Sequence, residues 1–200
     1  MRLEAIGLCC VRGGREVFSG LDFALGAGES LLITGRNGAG KSSLLRTVAG
    51  LVRIAAGRLA LAGGQADKTI PEQAHYLGHQ DALKPSLTVA ENLDFWTRYL
   101  GGAGPLTEAL AAVGLAALGD LPAAYLSAGQ RRRLSLARLV AAHRPIWLLD
   151  EPTAALDTEA QETLAGLMRS HLTTGGLILA ATHGPIGLDA PKTLRLGAAA

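Results

Sequence analysis

Short apolar runs, separated by glycine and polar residues, recur along the 200-residue chain. Residues 3–10 and 17–25 predict two antiparallel strands joined by a glycine-containing turn. Further strands are predicted over residues 30–34, 57–62, 74–78 and 176–182. Residues 146–149 are continuously apolar before Asp150, which is typical of a parallel-sheet strand covered on both faces. The pattern predicts an α/β fold with antiparallel strands near its N-terminus.

Apolar residues three or four positions apart predict helices over residues 42–49, 87–100, 106–113, 131–142 and 158–172. Thr88 is a suitable N-cap for the second of these helices, and the glycines and proline at 101–105 end it. The segment from about residue 81 to 140 is therefore predicted to be a small helical subdomain within a single domain of residues 1–200. After the strand at 176–182 we expect only a short tail.

A glycine-rich loop lies between the strand at 30–34 and the helix at 42–49. It matches the G-x-x-x-x-G-K-[ST] pattern in the strand–loop–helix context of a phosphate-binding loop. Its glycines let backbone N–H groups face phosphate oxygens, Lys41 would reach the β- and γ-phosphates, and the Ser42 hydroxyl would bind Mg²⁺. The expected nucleotide contacts are Gly35, Arg36, Asn37, Gly38, Ala39, Gly40, Lys41, Ser42 and Ser43. The alternative is a glycine-rich turn with a solvated lysine.

Two adjacent carboxylates, Asp150 and Glu151, end the apolar run at 146–149. Ligands of parallel α/β sheets bind at the carboxyl ends of the strands, so both side chains are expected at the active edge. Asp150 would hold the shell of a magnesium ion, largely through water, and Glu151 would polarise the attacking water as general base. The alternative is an ordinary acidic turn, which the upstream phosphate-binding loop disfavours.

A third motif, Leu126–Gln130, precedes the helix predicted at 131–142. Its sequence, Leu-Ser-Ala-Gly-Gln, resembles the Leu-Ser-Gly-Gly-Gln signature of ABC-type ATPases, with alanine at the third position. The resemblance implies that Ser127, Gly129 and Gln130 contact the γ-phosphate of an ATP molecule held by the loop of a second subunit. The same residues form a Ser-x-x-Gln helix start that would be N-capped in any case, and both interpretations can hold together.

Three more residues match this family in the expected order. Gln80 resembles the Q-loop glutamine, which implies a catalytic and metal-site role and a link to a membrane partner. Asp157 resembles the D-loop aspartate, which implies a contact across the dimer interface. His183 closes an apolar strand and resembles the switch histidine that senses the γ-phosphate, although a lone histidine is more often structural. The resemblance implies a P-loop NTPase fold of ABC type whose homodimer forms on binding ATP and hydrolyses it with Mg²⁺.

Arg12 marks a departure from the family pattern. ABC-type ATPases usually place an aromatic residue upstream of the phosphate-binding loop, where it stacks on adenine. The family spacing puts that position near Arg12 in this chain. A guanidinium group can stack on a base, so Arg12 is one candidate for the adenine contact. The alternative, a solvated arginine in the hairpin turn, is equally compatible with the sequence.

Composition excludes several classes of protein. The net charge of +2 is too small to indicate a nucleic-acid partner. Hydrophobic residues make up 48% of the chain, yet no run approaches the length of a membrane-spanning helix. The first residues favour a strand and not a signal peptide. Cys9 and Cys10 are adjacent in a predicted strand, where side chains alternate between faces, so we expect reduced thiols in a cytosolic protein.

Three stretches resemble a narrower family, the ATP-binding subunits of cytochrome c maturation systems, also called the haem-exporter type. They are residues 18–21, residues 77–95 and the signature with its alanine at 128. The resemblance implies an energy-coupling subunit that pairs with an integral membrane permease of CcmB type and with other cytochrome c maturation proteins. It also implies a peripheral position on the cytoplasmic face of the bacterial inner membrane.

Two other functions fit parts of the sequence. One is a soluble ABC-type ATPase that couples ATP to mechanical work on nucleic acid or ribosomes. Such proteins usually carry a long coiled coil or two ATPase cassettes, and this sequence shows neither, nor a basic face. The other is a P-loop kinase or GTPase, for which the signature and His183 would be coincidences.

Overall fold

The computed structural model describes residues 1–197 and confirms the predicted α/β fold. The strands are β1 (Arg2–Arg12), β2 (Arg15–Gly26), β3 (Ser30–Thr34), β4 (Ala56–Ala62), β5 (Ala74–Leu77), β6 (Ile146–Asp150), β7 (Leu177–Ala181) and β8 (Lys192–Arg195). The α-helices are α1 (Lys41–Val48), α2 (Val89–Tyr99), α3 (Leu106–Ala112), α4 (Ala128–Ala141) and α5 (Thr158–Thr173). No helix within residues 1–197 is both long enough and apolar enough to cross a membrane.

The N-terminal strands form an antiparallel sheet in the order β2-β1-β4. The predicted hairpin is confirmed, with Arg12 paired to Arg15 across the turn at Gly13 and Gly14. Both glycines have positive φ angles, 56° and 75°, which a tight two-residue hairpin turn requires.

The other five strands form a parallel sheet in the order β5-β6-β7-β3-β8. Every residue of β6 and of β7 is buried, as their unbroken apolar sequences predict. Because β6, β7 and β3 are neighbours, the segments that follow Asp150, Ala181 and Thr34 meet at one edge of the sheet.

One apolar core joins both sheets to α1. Leu44, Leu45 and Val48 of α1 are at most 1% exposed and belong to this core. Burying an aliphatic side chain of this size contributes roughly 1.5–3 kcal/mol. The core therefore fixes α1, and with it the loop that leads into the helix.

The sequence pattern does not predict β8. Only a short tail was expected after the strand at 176–182. β8 has four residues, of which Leu194 alone is half-buried and the rest are exposed. So short and polar a strand gives no alternating signal. It pairs with β3 along one side, and Lys192 donates a hydrogen bond to the Glu29 carboxylate. That hydrogen bond lowers the pKa of Glu29.

The chain divides into two compact units. The first holds both sheets and α1 and consists of residues Met1–Gly78, Pro145–Pro152 and the chain from Met168 onward. The second consists of His79–Arg144 and Thr153–Leu167. The helical subdomain predicted at about 81–140 falls within the second unit, and the single-domain organisation of the chain stays a prediction.

In the second unit, α4 packs against α2 and α3. Thr88 caps α2 as predicted, and Glu91 completes the capping box. The guanidinium of Arg138 lies 4.5 Å from the centre of the Trp96 ring, and burial lowers the pKa of Arg138 to about 10.

The prediction that the signature helix begins at residue 131 is wrong. It begins at Ala128, directly after Ser127, which caps it as the Ser-x-x-Gln pattern indicates.

Candidate active site

The site lies at the carboxyl edge of the parallel sheet in the first unit. The loop after β3, the end of β6 and the segment after β7 surround one cavity of about 520 Å³. Its lining residues are Val17, Asn37, Gly38, Gly40, Lys41, Ser42, Ser43, Asp150, Glu151 and His183. The structure thus brings together most of the phosphate-loop residues, both carboxylates and the histidine that the sequence singled out.

Two glycines of the loop have no room for a side chain. A Cβ atom on Gly35 would lie 2.4 Å from the Leu196 carbonyl oxygen, and one on Gly40 would lie 2.6 Å from Val17 Cγ1. Both have positive φ angles, 143° and 99°. The loop therefore lies against β8 on one side and the β1–β2 hairpin on the other, with a backbone that only glycine adopts at low cost.

Lys41 begins α1 and is only 8% exposed. Its ammonium group donates to the carbonyl oxygens of Gly35 at 2.9 Å and Arg36 at 3.3 Å, and lies 3.2 Å from His183 Nε2. A buried ammonium needs such partners because burial without them is costly. The loop thus holds Lys41 folded back over its own backbone, with its charge at the cavity.

Ser42 and Asp150 form the candidate metal position. The Ser42 hydroxyl donates to Asp150 Oδ1 at 3.0 Å, and both residues line the cavity. Hydroxyl and carboxylate oxygens suit Mg²⁺, which is usually held by one or two protein groups plus water and phosphate oxygens. Among the described residues there is no cluster of three or more His, Cys, Asp or Glu side chains suited to a metal. The donor set therefore fits a magnesium ion that arrives with a nucleotide.

Tyr76 and Arg46 surround Asp150, and sequence reasoning missed both. Arg46 Nε donates to the Tyr76 hydroxyl at 3.1 Å. Burial raises the pKa of Tyr76, and the charge of the nearby Asp150 carboxylate raises it further, although the hydrogen bond from Arg46 opposes the change. Tyr76 therefore keeps its proton at neutral pH. The available signal was a tyrosine beside a histidine in the short strand β5.

Glu151 and His183 face each other across the cavity. His183 Nε2 lies 3.5 Å from Glu151 Oε1, and Glu151 has a left-handed backbone with φ of 47°. A non-glycine residue in this conformation is strained, and such strain is frequent at functional sites. Because Nε2 also faces the Lys41 ammonium, the neutral ring can accept from lysine or donate to glutamate, but one nitrogen cannot do both.

Five predicted residues belong to the second unit: Gln80, Ser127, Gly129, Gln130 and Asp157. Ser127 and Gln130 form a reciprocal capping box at the start of α4, with bonds of 3.1 Å and 2.8 Å. Asp157 accepts a hydrogen bond from the Ala160 N–H and so begins α5. A Cβ on Gly129 would lie 3.0 Å from the Ala155 carbonyl oxygen. The signature residues thus cap α4 and pack closely against Ala155. Their contact with a second subunit stays a prediction, and so does the role of Gln80.

Three predicted loop residues, Gly35, Arg36 and Asn37, line a neighbouring cavity of about 530 Å³ together with His183 and Arg195. Arg12 lies at the exposed end of the β1–β2 hairpin. The hairpin residue at the first cavity is Val17, on β2. The nucleotide contacts assigned to Arg12, Arg36 and Ala39 stay predictions, as do those assigned to the residues that line the first cavity.

Comparison with known proteins gives a consistent result. Residues 18–154 match the family model described as ABC transporter. Over the full length of both chains, the sequence is 63% identical to a protein from Nitrobacter winogradskyi and 61% identical to one from Rhodopseudomonas palustris. A protein from Rhizobium meliloti is 53% identical over 98% of both chains. All three carry the name cytochrome c biogenesis ATP-binding export protein CcmA.

Solved structures agree on the fold. A putative ABC transporter ATP-binding protein from Pyrococcus furiosus superimposes with a TM-score of 0.84 over 98% of both chains at 20% identity. An ATP-binding subunit of an ABC transporter gives a TM-score of 0.82 over 92% of this chain and 80% of its own, at 24% identity. At such identities the similarity concerns the fold alone.

Proposed function

The chain belongs to the CcmA family of ABC transporter ATP-binding proteins, and on that premise we propose that it is the ATP-hydrolysing subunit of a membrane export complex serving cytochrome c biogenesis. The export role follows the name that its full-length relatives carry. That name favours a transport complex over a soluble ATPase acting on nucleic acid or ribosomes.

One observation supports hydrolysis most directly. A single cavity brings together a buried lysine ammonium, a serine–aspartate pair 3.0 Å apart and a glutamate 3.5 Å from a histidine. These are the groups that phosphoryl transfer to water requires: a cation for the phosphates, oxygens for a metal, and a base beside the attacking water. Few other reactions use this set.

Each group has a proposed task. Lys41 exchanges its bonds to the loop carbonyls for bonds to the β- and γ-phosphates of ATP. Ser42 and Asp150 would hold Mg²⁺, which would neutralise charge on the phosphate oxygens. Glu151 accepts the proton of the attacking water. His183 donates from Nε2 to the γ-phosphate, once Lys41 has moved onto the phosphates and no longer needs that nitrogen as an acceptor.

We propose further that two copies close around two ATP molecules. In each composite site the loop of one copy would face Ser127, Gly129 and Gln130 of the other, with Asp157 and Gln80 near the interface. Ser127 caps α4, so the start of that helix presents N–H groups and a partial positive charge suited to a γ-phosphate. Closure is favoured because ATP contacts both copies only in the closed form.

The proposed complex also contains an integral membrane permease and other cytochrome c maturation proteins, with this subunit peripheral on the cytoplasmic face of the inner membrane. The test is purification of a tagged Glu151→Gln form from detergent-solubilised membranes with ATP present. We expect a small multi-helix permease and maturation proteins to co-purify, and ATP hydrolysis by that complex to fall at least about 100-fold below the wild-type complex. Recovery of a nuclease or ribosomes, or of no membrane protein, would contradict the proposal.

A matched control is Glu162→Gln, an exposed residue of α5. It makes the same chemical change outside the cavity, and the complex that contains it should hydrolyse ATP at the wild-type rate. If both variants lost activity equally, the loss would not report on a general base.

A further inference from the structure

Asn37 and His183 line two cavities, the catalytic one and its neighbour of about 530 Å³. The neighbour lies where the phosphate-binding loop leaves β3 and where β8 ends, and we call it the arginine cavity. Its lining residues are Thr34, Gly35, Arg36, Asn37, His183, Arg195, Leu196 and Gly197. Because the two cavities share lining residues, a group bound beside His183 in one of them lies next to the other.

The two cavities differ in the charges that line them. Asp150 and Glu151 line the catalytic cavity, where they serve a metal and a water molecule in the proposed reaction. Among the described residues that line the arginine cavity, none is acidic and two are arginines. The arginine cavity therefore attracts an anion, whereas the carboxylates of the catalytic cavity repel an anion whose charge no metal neutralises.

The fold places both arginines at this cavity. Arg195 is the last residue of β8 and pairs with Thr34 of β3 in parallel register, which puts their backbones about 4.8 Å apart. The Leu196 N–H donates to the Thr34 carbonyl oxygen at 2.8 Å and extends this pairing. Arg36 follows Thr34 by two residues. The two arginines thus lie on neighbouring segments at the same edge of the sheet.

Neither guanidinium is used inside the protein. Arg36 and Arg195 are exposed, and within residues 1–197 their side chains make no hydrogen bond or ion pair. Lys192 of the same strand, in contrast, is paired with Glu29. A guanidinium presents its N–H donors in a planar fork that matches two oxygens of a phosphate. The arginine cavity therefore has unused donors of the kind that bind phosphate oxygens.

We propose that the arginine cavity binds the inorganic phosphate that ATP hydrolysis produces, with Arg36 and Arg195 donating to its oxygens and His183 facing both positions. In hydrolysis the water oxygen joins the γ-phosphorus, its proton passes to Glu151, and the bond to the bridging oxygen breaks. ADP stays on the loop, and the phosphate anion is left beside Asp150 and Glu151. Those carboxylates repel it, and the unpaired arginines next to it stabilise it. This inference rests on the proposed ATP hydrolysis.

The first test is equilibrium dialysis of radiolabelled inorganic phosphate against the full-length chain saturated with Mg²⁺ and ADP, so that the nucleotide occupies the phosphate-binding loop. We expect saturable binding to the wild type. Arg195→Ala should raise the dissociation constant of phosphate at least about tenfold, because hydrogen bonds to a charged group are lost. Arg195→Lys keeps the charge but not the fork and should give an intermediate value. Arg58→Ala, which removes the same charge from exposed β4, should leave the value unchanged.

The second test follows the phosphate that the reaction itself produces, and so separates a product site from one that takes phosphate only from solution. In a single turnover of ATP by the assembled complex, acid quenching measures cleavage and a fluorescent phosphate sensor measures release. We expect release to lag behind cleavage in the wild type. The lag should shorten about tenfold with Arg195→Ala, since weaker binding mainly raises the dissociation rate, and should stay unchanged with Arg58→Ala.

Three binding results would overturn the phosphate site. They are no phosphate binding to the ADP-saturated wild type, an unchanged dissociation constant in folded Arg195→Ala and Arg195→Lys chains, or an equal loss in Arg58→Ala, which would mean general attraction to positive charge. An equal lag in the wild-type and Arg195→Ala complexes would overturn its role for the product. Failure of the proposed function gives a different result, because a wild-type chain that binds neither ATP nor ADP, or a complex that does not cleave ATP, would contradict hydrolysis itself.

Discussion

Tyr76 lies outside every sequence motif and still contacts the residue proposed to hold magnesium. Its hydroxyl accepts from Arg46, and burial together with the charge of the nearby Asp150 keeps it protonated by raising its pKa. A protonated hydroxyl beside Asp150 favours some orientations of that carboxylate over others, which influences the geometry it offers to a metal. Tyr76 is thus a positioning residue that acts through Asp150.

We expect Tyr76→Phe to raise the Mg²⁺ concentration for half-maximal ATP hydrolysis by about three- to tenfold, because the hydroxyl dipole beside the Asp150 carboxylate and the hydrogen bond to the charged Arg46 are lost. The maximal rate at saturating Mg²⁺ should change far less. The measurement is a magnesium titration of hydrolysis by the assembled complex, with Tyr125→Phe, at an exposed tyrosine, as the control. An unchanged magnesium requirement in a folded Tyr76→Phe protein would show that Tyr76 has only a packing role.

At the residue scale, sequence reasoning succeeded where chemistry is local. Lys41 and Ser42 are adjacent, and Asp150 and Glu151 are adjacent, so each pair is visible as a motif. The order of strands then brings the two pairs together. Tyr76 could not be found in this way, because its contacts with α1 and β6 depend on packing that spans tens of residues of sequence.

At the element scale, the antiparallel sheet depends on the close approach of two glycines. Gly57, the second residue of β4, has φ of 82°, and a Cβ there would lie 2.2 Å from the carbonyl oxygen of Gly7 in β1. The β1–β4 register shifts between Ile6 and Cys9 at the same place. The bulge therefore requires glycine for both conformation and space.

We expect Gly57→Ala to lower the free energy of unfolding by roughly 3 kcal/mol or more, because backbone strain and a backbone clash add. Gly20→Ala is the matched control, since Gly20 also has a positive φ, 61°, but nothing within 4 Å of its Cβ position. It should cost only about 1 kcal/mol, the strain alone. Urea unfolding followed by circular dichroism measures both. Equal losses in the two variants would mean that the contact with Gly7 relaxes freely.

Sequence patterns located the elements that are long or continuously apolar. β6 and β7 were predicted because all their residues are buried, and α2 because Thr88 and Glu91 form its cap. β8 was missed because an edge strand with one half-buried residue has no period to detect. The start of α4 was placed three residues late because polar and small residues, Ala-Gly-Gln, open that helix, so its apolar spacing begins only after them.

At the scale of the whole molecule, the proposed catalytic unit is a pair of chains. Ser127 already has a structural task in capping α4, and the proposed contact with the ATP of a second subunit is additional to it. A bulky charged side chain at this position would block a second subunit's nucleotide. Lys41→Ala, in contrast, removes the phosphate contact within its own chain. The two substitutions therefore inactivate different halves of the same composite site.

We expect complexes containing only Lys41→Ala or only Ser127→Arg to be inactive, and co-expression of both variants to restore hydrolysis. In a mixed dimer, one site combines the intact loop of the Ser127→Arg chain with the intact signature of the Lys41→Ala chain. About half of randomly formed dimers are mixed, and each mixed dimer has one of its two sites intact. If one site can work alone, the rate of ATP hydrolysis should therefore approach about a quarter of the wild-type rate. Steady-state hydrolysis by the purified complexes measures it.

The control for this complementation is co-expression of Lys41→Ala with the double variant Lys41→Ala/Ser127→Arg, in which no pairing has an intact loop. It should stay inactive. Activity without mixing, from Ser127→Arg alone, would show that the signature does not contribute to a site. Inactivity of every mixture, from chains that fold and enter the complex, would contradict a composite site in which one subunit completes the other.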